Sequence, residues 1–190
     1  MPNLPPWGAT EPCIGNNPLV IGVPRAKGPI VLDMAMSQFS YGALESHRKR
    51  GEPLPVDGGF DEDGNLTRNA AAIEASQRLL PVGYWKGSGL AVVLDAMAAM
   101  LSLGNATHQI VPDAFRETAL SQVFVAMNPG IVSDELADGI VESLHSCGAN
   151  AEVRYPGERT LEIRKENRKL GLPVDEAVWS EILRMLGAPS

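Results

Sequence analysis

Two unbroken apolar runs near the start of the chain set the first expectation. Leu19-Val-Ile-Gly-Val-Pro24 and Ile30-Val-Leu-Asp-Met-Ala-Met36 are rich in β-branched residues and are separated by Arg25-Ala-Lys-Gly-Pro29, a pattern that predicts two strands joined by a turn. Neither run alternates apolar with polar positions, which predicts a sheet covered on both faces. Asp33 then becomes an acid at or near the end of a buried strand, where a carboxylate must be hydrogen-bonded, paired or protonated. It could orient a catalytic histidine or bond loop amides at a strand end. The residues alone leave both readings open.

After Ser37 the period changes. Residues Ser37 to Lys49 read as a helix, with Ser37 or Ser40 as N-cap, Arg48, Lys49 and Arg50 suited to its negative end, and Gly51 as its stop. Pro53, Pro55 and Asp57-Gly-Gly59 open an irregular stretch, and Asp61-Glu-Asp-Gly-Asn65 reads as an exposed turn. Its acids only superficially resemble a calcium loop, because the glycine spacing is wrong and no closing Glu is assured. Leu90 to Leu101 is so rich in Ala, Leu and Met that a helix is predicted. Being apolar around most of its circumference, it should be a central buried one, with Gly104 as its stop.

Gln122 to Met127 reads as a further strand, and Ser133 to Leu144 as an amphipathic helix whose Ser cap and acidic first turn agree. Val153 to Tyr155 reads as a short strand before Pro156-Gly157. Arg159 to Leu170 and Asp175 to Leu186 read as two helices divided by Gly171 and Pro173. Strands interspersed with helices indicate the α/β class, as a mixed sheet with flanking helices.

Composition narrows the function. The chain has 190 residues, 44% hydrophobic and 21% charged, enough to bury a core in one domain or one domain with a small appended lobe. A formal charge of -7, from 16 basic and 23 acidic residues, gives no general support for nucleic acid or an anionic membrane as partner. No apolar run is long enough to span a bilayer. Pro2, Pro5 and Pro6 around Trp7 read like an interior loop rather than a signal peptide. Cys13 and Cys147 follow no metal-ligand spacing and read as two buried small hydrophobes, in keeping with a reducing cytoplasm.

The best local signal for chemistry is Lys86-Gly-Ser-Gly89 at the head of the apolar helix. A lysine, backbone N–H groups at a helix start and glycines that allow close approach favour an anion such as phosphate. The competing reading is that Gly87 and Gly89 only permit tight packing, and spacing does not separate the two. There is no G-x-G-x-x-G after a strand and no G-x-x-x-x-G-K-[ST]. A nucleotide would need another architecture. His47, His108 and His145 are scattered and read as surface or packed histidines. Trp7, Trp85 and Trp179 read as packing anchors, with Trp85 also able to line a pocket beside Lys86.

Taken together, Pro5-Pro-Trp-Gly8, Gly15-Asn-Asn-Pro-Leu19, Asp33-Met-Ala-Met-Ser37, Phe39-Ser-Tyr-Gly42, Leu54-Pro-Val-Asp-Gly-Gly-Phe60 and Leu80-Pro-Val-Gly-Tyr-Trp-Lys-Gly-Ser-Gly-Leu90 resemble the type 2 malate/L-lactate dehydrogenase family. The resemblance implies a non-Rossmann NAD(P)-binding α/β fold and a homodimeric, cytoplasmic oxidoreductase that uses NADH or NADPH. Its substrate would be a small 2-keto acid, or a 2,3-diketo acid derived from a sugar, and no metal is implied.

By the same resemblance the cofactor contacts fall on Pro29, Ile30, Val31, Leu32, Asp33, Met34 and Ala35, on Trp85 and Lys86, and on Gly157, Glu158 and Arg159. Asn16 stands where the family's Gly-Thr-Asn-Pro pattern has threonine. The family's proton donor is the histidine of a Ser-His-Gly motif that nothing here matches, so Asp33 is expected only as an orienting partner. Residues 1–190 are therefore expected to be the cofactor-binding and C-terminal part of a longer reductase, with 151–190 as a C-terminal helical segment and a separate N-terminal polypeptide as partner. The alternative is a non-catalytic dinucleotide-binding or dimerisation fragment.

Overall fold

β1 (Leu19–Val23) and β2 (Ile30–Met34) form where the β-branched runs predict them and pair in a two-stranded sheet. Gly28 closes the turn between them, with φ at 126° and its N–H donating to Arg25 O at 3.1 Å. The computed structural model describes residues 2–111, 119–128, 130, 133–148 and 153–187. Two compact units divide it: Met1–Ile21 with Asp33–Pro129, and Gly22–Leu32 with Gly130–Ser190. The chain crosses from the first to the second within β1 and returns within β2.

The expectation of a sheet covered on both faces fails. Val20, Ile21 and Val23 are exposed, and so is Asp33. Among the described residues no third strand joins β1 and β2, so the apolar runs report what these strands can tolerate rather than what this chain lays over them.

In the first unit, α1 (Tyr41–Arg50) starts at Ser40, whose side chain accepts from Ala43 N, and ends at Gly51 in the left-handed conformation. β3 (Gly59–Phe60) and β4 (Leu66–Thr67) make an antiparallel hairpin, Gly59 opposite Thr67 and Phe60 opposite Leu66. Its Asp61–Asn65 turn is tied by Asp61 Oδ1 accepting from Asn65 N at 2.8 Å. That backbone N–H holds the Asp61 carboxyl below its ordinary range. α2 (Ala70–Ser76) follows, capped by Asn69, which accepts from Ala71 N and Ala72 N. The core sits here, on Leu4, Met36, Leu44, Leu54, Ile73, Leu79 and Ala91.

α3 (Trp85–Ser102) begins earlier than its apolar run and is not the central buried helix expected of it. Only Gly87, Ser88 and Ala91 are buried, whereas Val92, Val93, Met97, Met100 and Leu101 are exposed. The first unit covers one stripe of the helix, and an all-round apolar composition cannot say how many stripes find cover. The helix stops at Leu103 with φ 52°, one residue before the predicted glycine, and Gly104 N bonds back to Ala99 O. Gln122 to Met127 is not a strand: it has no ladder partner among the described residues, and Val123, Phe124, Val125 and Met127 are exposed.

The second unit carries α4 (Asp134–Ser146), capped by Ser133, then α5 (Glu158–Leu170) and α6 (Glu176–Met185), capped by Asp175. Val153 to Tyr155 is not a strand either. A single backbone bond, Val31 N to Pro156 O at 2.9 Å, stands in place of a ladder. Cys13 and Cys147 are both exposed thiols rather than buried residues. No helix among the described residues is long and apolar enough to cross a membrane.

Candidate functional site

After β2 the chain runs on through Ala35 to Met36 and Ser37, and this stretch is held from two directions in the first unit. On one side the Gly15-Asn-Asn17 loop receives it: Met36 N donates to Asn16 O at 3.2 Å and Ser37 N to Asn16 Oδ1 at 2.7 Å. On the other, the segment leading into α3 pairs with it, through Val82 N to Met36 O at 2.8 Å and Gln38 N to Leu80 O at 2.7 Å. The loop also reaches α3 itself, since Asn17 Nδ2 donates to Ala91 O at 2.8 Å. Gly15 leaves no room for a side chain, as a Cβ there would lie 2.7 Å from Thr107 Oγ1. Thr107 is fixed in turn by Asp95 of α3, which accepts from its N and Oγ1 at 2.9 and 2.8 Å. Met36 to Gln38, which follow the Pro29–Ala35 segment, are thus bound into one framework with the lead-in to α3 and, through Asn17, with α3 itself.

Asn16, the departure from the family's threonine, supplies the acceptor for Ser37 N. That contact was not legible in the sequence, where Asn16 only looked like a mismatch.

The head of α3 differs from the expectation of open amides. Lys86 N donates to Gly83 O at 3.2 Å, Gly87 N to Val82 O at 2.9 Å and Ser88 N to Tyr84 O at 3.2 Å. The entering chain turns tightly enough, with φ at 60° for both Gly83 and Tyr84, to satisfy these donors itself. A Cβ on Gly87 would collide with backbone atoms of Val82, so this glycine permits packing; nothing lies within 4 Å of a Cβ on Gly89. Ser88 accepts from Trp7 N at 3.0 Å, and Trp7 meets Tyr84 edge-on at 5.1 Å. Trp85 and Lys86 point outward: Trp85 is 66% exposed, with Lys86 Nζ 5.8 Å from its ring. Trp85 is therefore no packing anchor.

Gly157 caps α5 with φ 90°, and a Cβ there would lie 3.2 Å from Val31 N and O, so this segment, in the second unit, sits directly on β2. Glu158 turns back to accept from Tyr155 N at 3.1 Å and lies 3.1 Å from His145 Nε2. Arg159 is exposed.

Sequence reasoning missed the residues that fasten this unit. Arg25, in the turn between β1 and β2, donates to Gly28 O at 2.9 Å, to Asp138 Oδ1 of α4 at 3.2 Å and to the Tyr155 hydroxyl at 2.8 Å. Lys27 reaches the other oxygen of Asp138 at 2.6 Å, and Ala26 N donates to Asp134 Oδ1 at 2.8 Å. The bond between Lys27 and Asp138 holds the carboxyl below its ordinary range and the ammonium above its own. The histidines lie elsewhere: His47 edge-on to Phe39, His108 exposed in the turn Thr107–Gln109, and His145 at Glu158.

The chain as a whole has known relatives. The chain is 43% identical to the 2,3-diketo-L-gulonate reductases of Citrobacter koseri and Klebsiella pneumoniae over 192 residues, covering 94% of this chain and 56% of each relative. It spans about half the length of the curated relatives it matches. Among solved structures, Δ1-piperideine-2-carboxylate reductase from Pseudomonas syringae superposes with a TM-score of 0.76 at 29% identity, over 97% of this chain and 57% of that one. Sulfolactate dehydrogenase from Methanocaldococcus jannaschii does so with 0.72 at 25% identity, over 99% and 57%. The expected non-Rossmann α/β fold is the fold these share. With the malate/L-lactate dehydrogenase profile matching residues 1–183, this chain belongs to that family.

Proposed function

We propose that the chain is the cofactor-binding, C-terminal part of an NADH- or NADPH-dependent oxidoreductase that reduces a 2-keto acid, with 2,3-diketo-L-gulonate as the first substrate to test. The observation that carries the reading is the first unit's framework, in which Met36 and Gln38, shortly after β2, are bonded to the segment that leads into α3. The groups on it suit a dinucleotide. Trp85 offers an exposed aromatic face, Lys86 an exposed cation and Asp33 an exposed carboxylate, types that fit a ring, a phosphate and a ribose hydroxyl in turn.

The three residues divide the work of binding. Lys86 neutralises phosphate charge as a point cation, which matters because the α3 amides beside it are already bonded. Trp85 limits water at one face of a bound ring. Asp33 stands on a strand whose following residues are pinned by Asn16 and Val82, so its carboxylate is presented from a fixed backbone. There it can accept from a sugar hydroxyl or orient an imidazole. When bound, a reduced nicotinamide supplies the hydride that attacks the ketone carbon. In the second unit the contacts proposed, on the family resemblance, are Pro29, Ile30, Val31, Leu32, Gly157, Glu158 and Arg159.

The acid that protonates the carbonyl oxygen belongs, in this proposal, to a histidine outside these 190 residues. A homodimer in the cytoplasm completes the reading.

The test is a titration of the chain with NADH and NADPH followed by cofactor fluorescence, then turnover of 2,3-diketo-L-gulonate with and without a polypeptide covering the rest of the relatives' length. Cofactor binding with turnover only in the presence of that polypeptide is expected. Absence of binding by both cofactors overturns the proposal. A second reading, a dinucleotide-binding or dimerisation fragment without catalysis, is favoured by the exposed apolar side of α3; binding without turnover under either condition would select it.

A further inference from the structure

We propose that Arg25 is a positioning residue that sets the Tyr155–Arg159 segment against β2; the functional part of this inference rests on the cofactor reading above. Its side chain is only 6% exposed, although arginine is rarely buried. Each nitrogen of the guanidinium is engaged. Nε donates to Gly28 O within the turn, Nη1 meets Asp138 of α4, Nη2 donates to the Tyr155 hydroxyl, and the Arg25 Cζ lies 4.8 Å from the Tyr155 ring centroid.

Redundancy shows which of these contacts matters. The turn is docked on α4 without Arg25, because Lys27 holds Asp138 and Ala26 N is bonded to Asp134. The turn also meets α5 where Gly28 lies against Leu161, but the hydrogen bond to the Tyr155 hydroxyl comes from Arg25. Tyr155 is buried and directly precedes Pro156, whose carbonyl accepts from Val31 N. Gly157 then lies so close to Val31 that a methyl group would already press on its backbone. A planar guanidinium fixed at Gly28 and Tyr155 therefore sets the register between β2 and the start of α5. Lysine, a flexible point charge, cannot make this fork.

The experiment compares wild type with Arg25→Met, Arg25→Lys, Tyr155→Phe and Lys27→Met as the full chain. It measures the NADH dissociation constant by fluorescence, thermal unfolding by circular dichroism, and amide hydrogen exchange. Arg25→Met should weaken NADH about tenfold, the scale expected when a supporting group lets a binding segment drift, and should speed exchange at Val31 and Glu158 but not within α4. Arg25→Lys should not restore affinity, and Lys27→Met should leave it within about twofold, as expected of an exposed ion pair. An unchanged dissociation constant in folded Arg25→Met, or an equal loss in Lys27→Met, overturns the inference. Should Arg25→Met not fold, Tyr155→Phe, which deletes the hydroxyl alone, carries the same comparison. If wild type binds no NADH, the cofactor reading falls, and the exchange pattern by itself decides whether Arg25 positions the segment.

Discussion

Gly87 and Gly89 lie two residues apart in the first turns of α3, and adding one methyl group at each should move stability in opposite directions. A Cβ on Gly87 would lie 2.8 Å from Val82 Cγ1 and 2.9 Å from Val82 N, and closer still to Val82 O. Two of these three atoms are backbone and cannot rotate away. Val82 cannot simply retreat either, since its N–H is bonded to Met36 O at 2.8 Å and its carbonyl accepts from Gly87 N at 2.9 Å. Overpacking of this kind costs about 1–3 kcal/mol, partly offset by the roughly 0.5–1 kcal/mol that alanine gains over glycine in a helix. Gly87→Ala should therefore destabilise by about 1–2 kcal/mol. At Gly89 nothing lies within 4 Å and only the helix-propensity gain remains, so Gly89→Ala should stabilise by about 0.5–1 kcal/mol. Urea unfolding followed by far-UV circular dichroism resolves a difference of this size. Shifts of the same sign in both variants would refute the packing assignment of Gly87. A loss of NADH affinity in the stabilised Gly89→Ala variant would give that open glycine the ligand-facing role that Gly87 lacks.

Asn16→Leu keeps the branching at Cγ but removes the acceptor of the buried Ser37 amide, which should cost about 1–3 kcal/mol; Asn16→Asp, retaining Oδ1, should lose much less in the same urea titration. Asn69→Ala deletes the cap of α2 and should cost about 0.5–2 kcal/mol by thermal unfolding. The Lys27–Asp138 bond makes the second unit sensitive at both pH extremes. Asp138, held below its ordinary 3.8, contributes stability above that value that is lost as pH falls through the lowered one; Lys27, held above 10.5, contributes below that value and loses its share as pH rises through the raised one. Lys27→Met should flatten both ends of a pH–unfolding curve, and unchanged slopes would contradict the assignment. The exposed Val92, Val93, Met97, Met100 and Leu101 of α3 should make the isolated chain self-associate, and a monodisperse monomer by light scattering would contradict that.

How far the sequence could be read depends on where the partner of each residue lies along the chain. Helix ends were legible because their determinants are local: Ser40 and Gly51 bound α1, Ser133 starts α4, and Gly171 with Asp175 separates α5 from α6. α2 carries an equally local signal, with Asn69 as cap before three alanines, but it directly follows a loop-rich stretch. Burial was not legible. The apolar runs of β1 and α3 describe which faces tolerate cover, whereas cover itself is a property of distant residues, so both were expected inside and both are substantially exposed. The Gln122–Met127 run failed as a strand for the same reason, since β-propensity becomes a strand only beside another strand.

The site divides along the same line. Trp85 and Lys86 announced themselves by neighbourhood, but the packing role of Gly87 depends on Val82, through a turn geometry that no spacing encodes. Arg25 was further out of reach. Asp138 and Tyr155 stand 113 and 130 residues beyond it, and a basic residue in a polar turn reads as solvated until both are seen. A buried arginine whose docking role is duplicated by its neighbour Lys27, but whose tyrosine contact is not, is therefore a feature that only three-dimensional proximity can reveal. It is also the reason the register between β2 and α5 can be tested by substitution far from Gly157 itself.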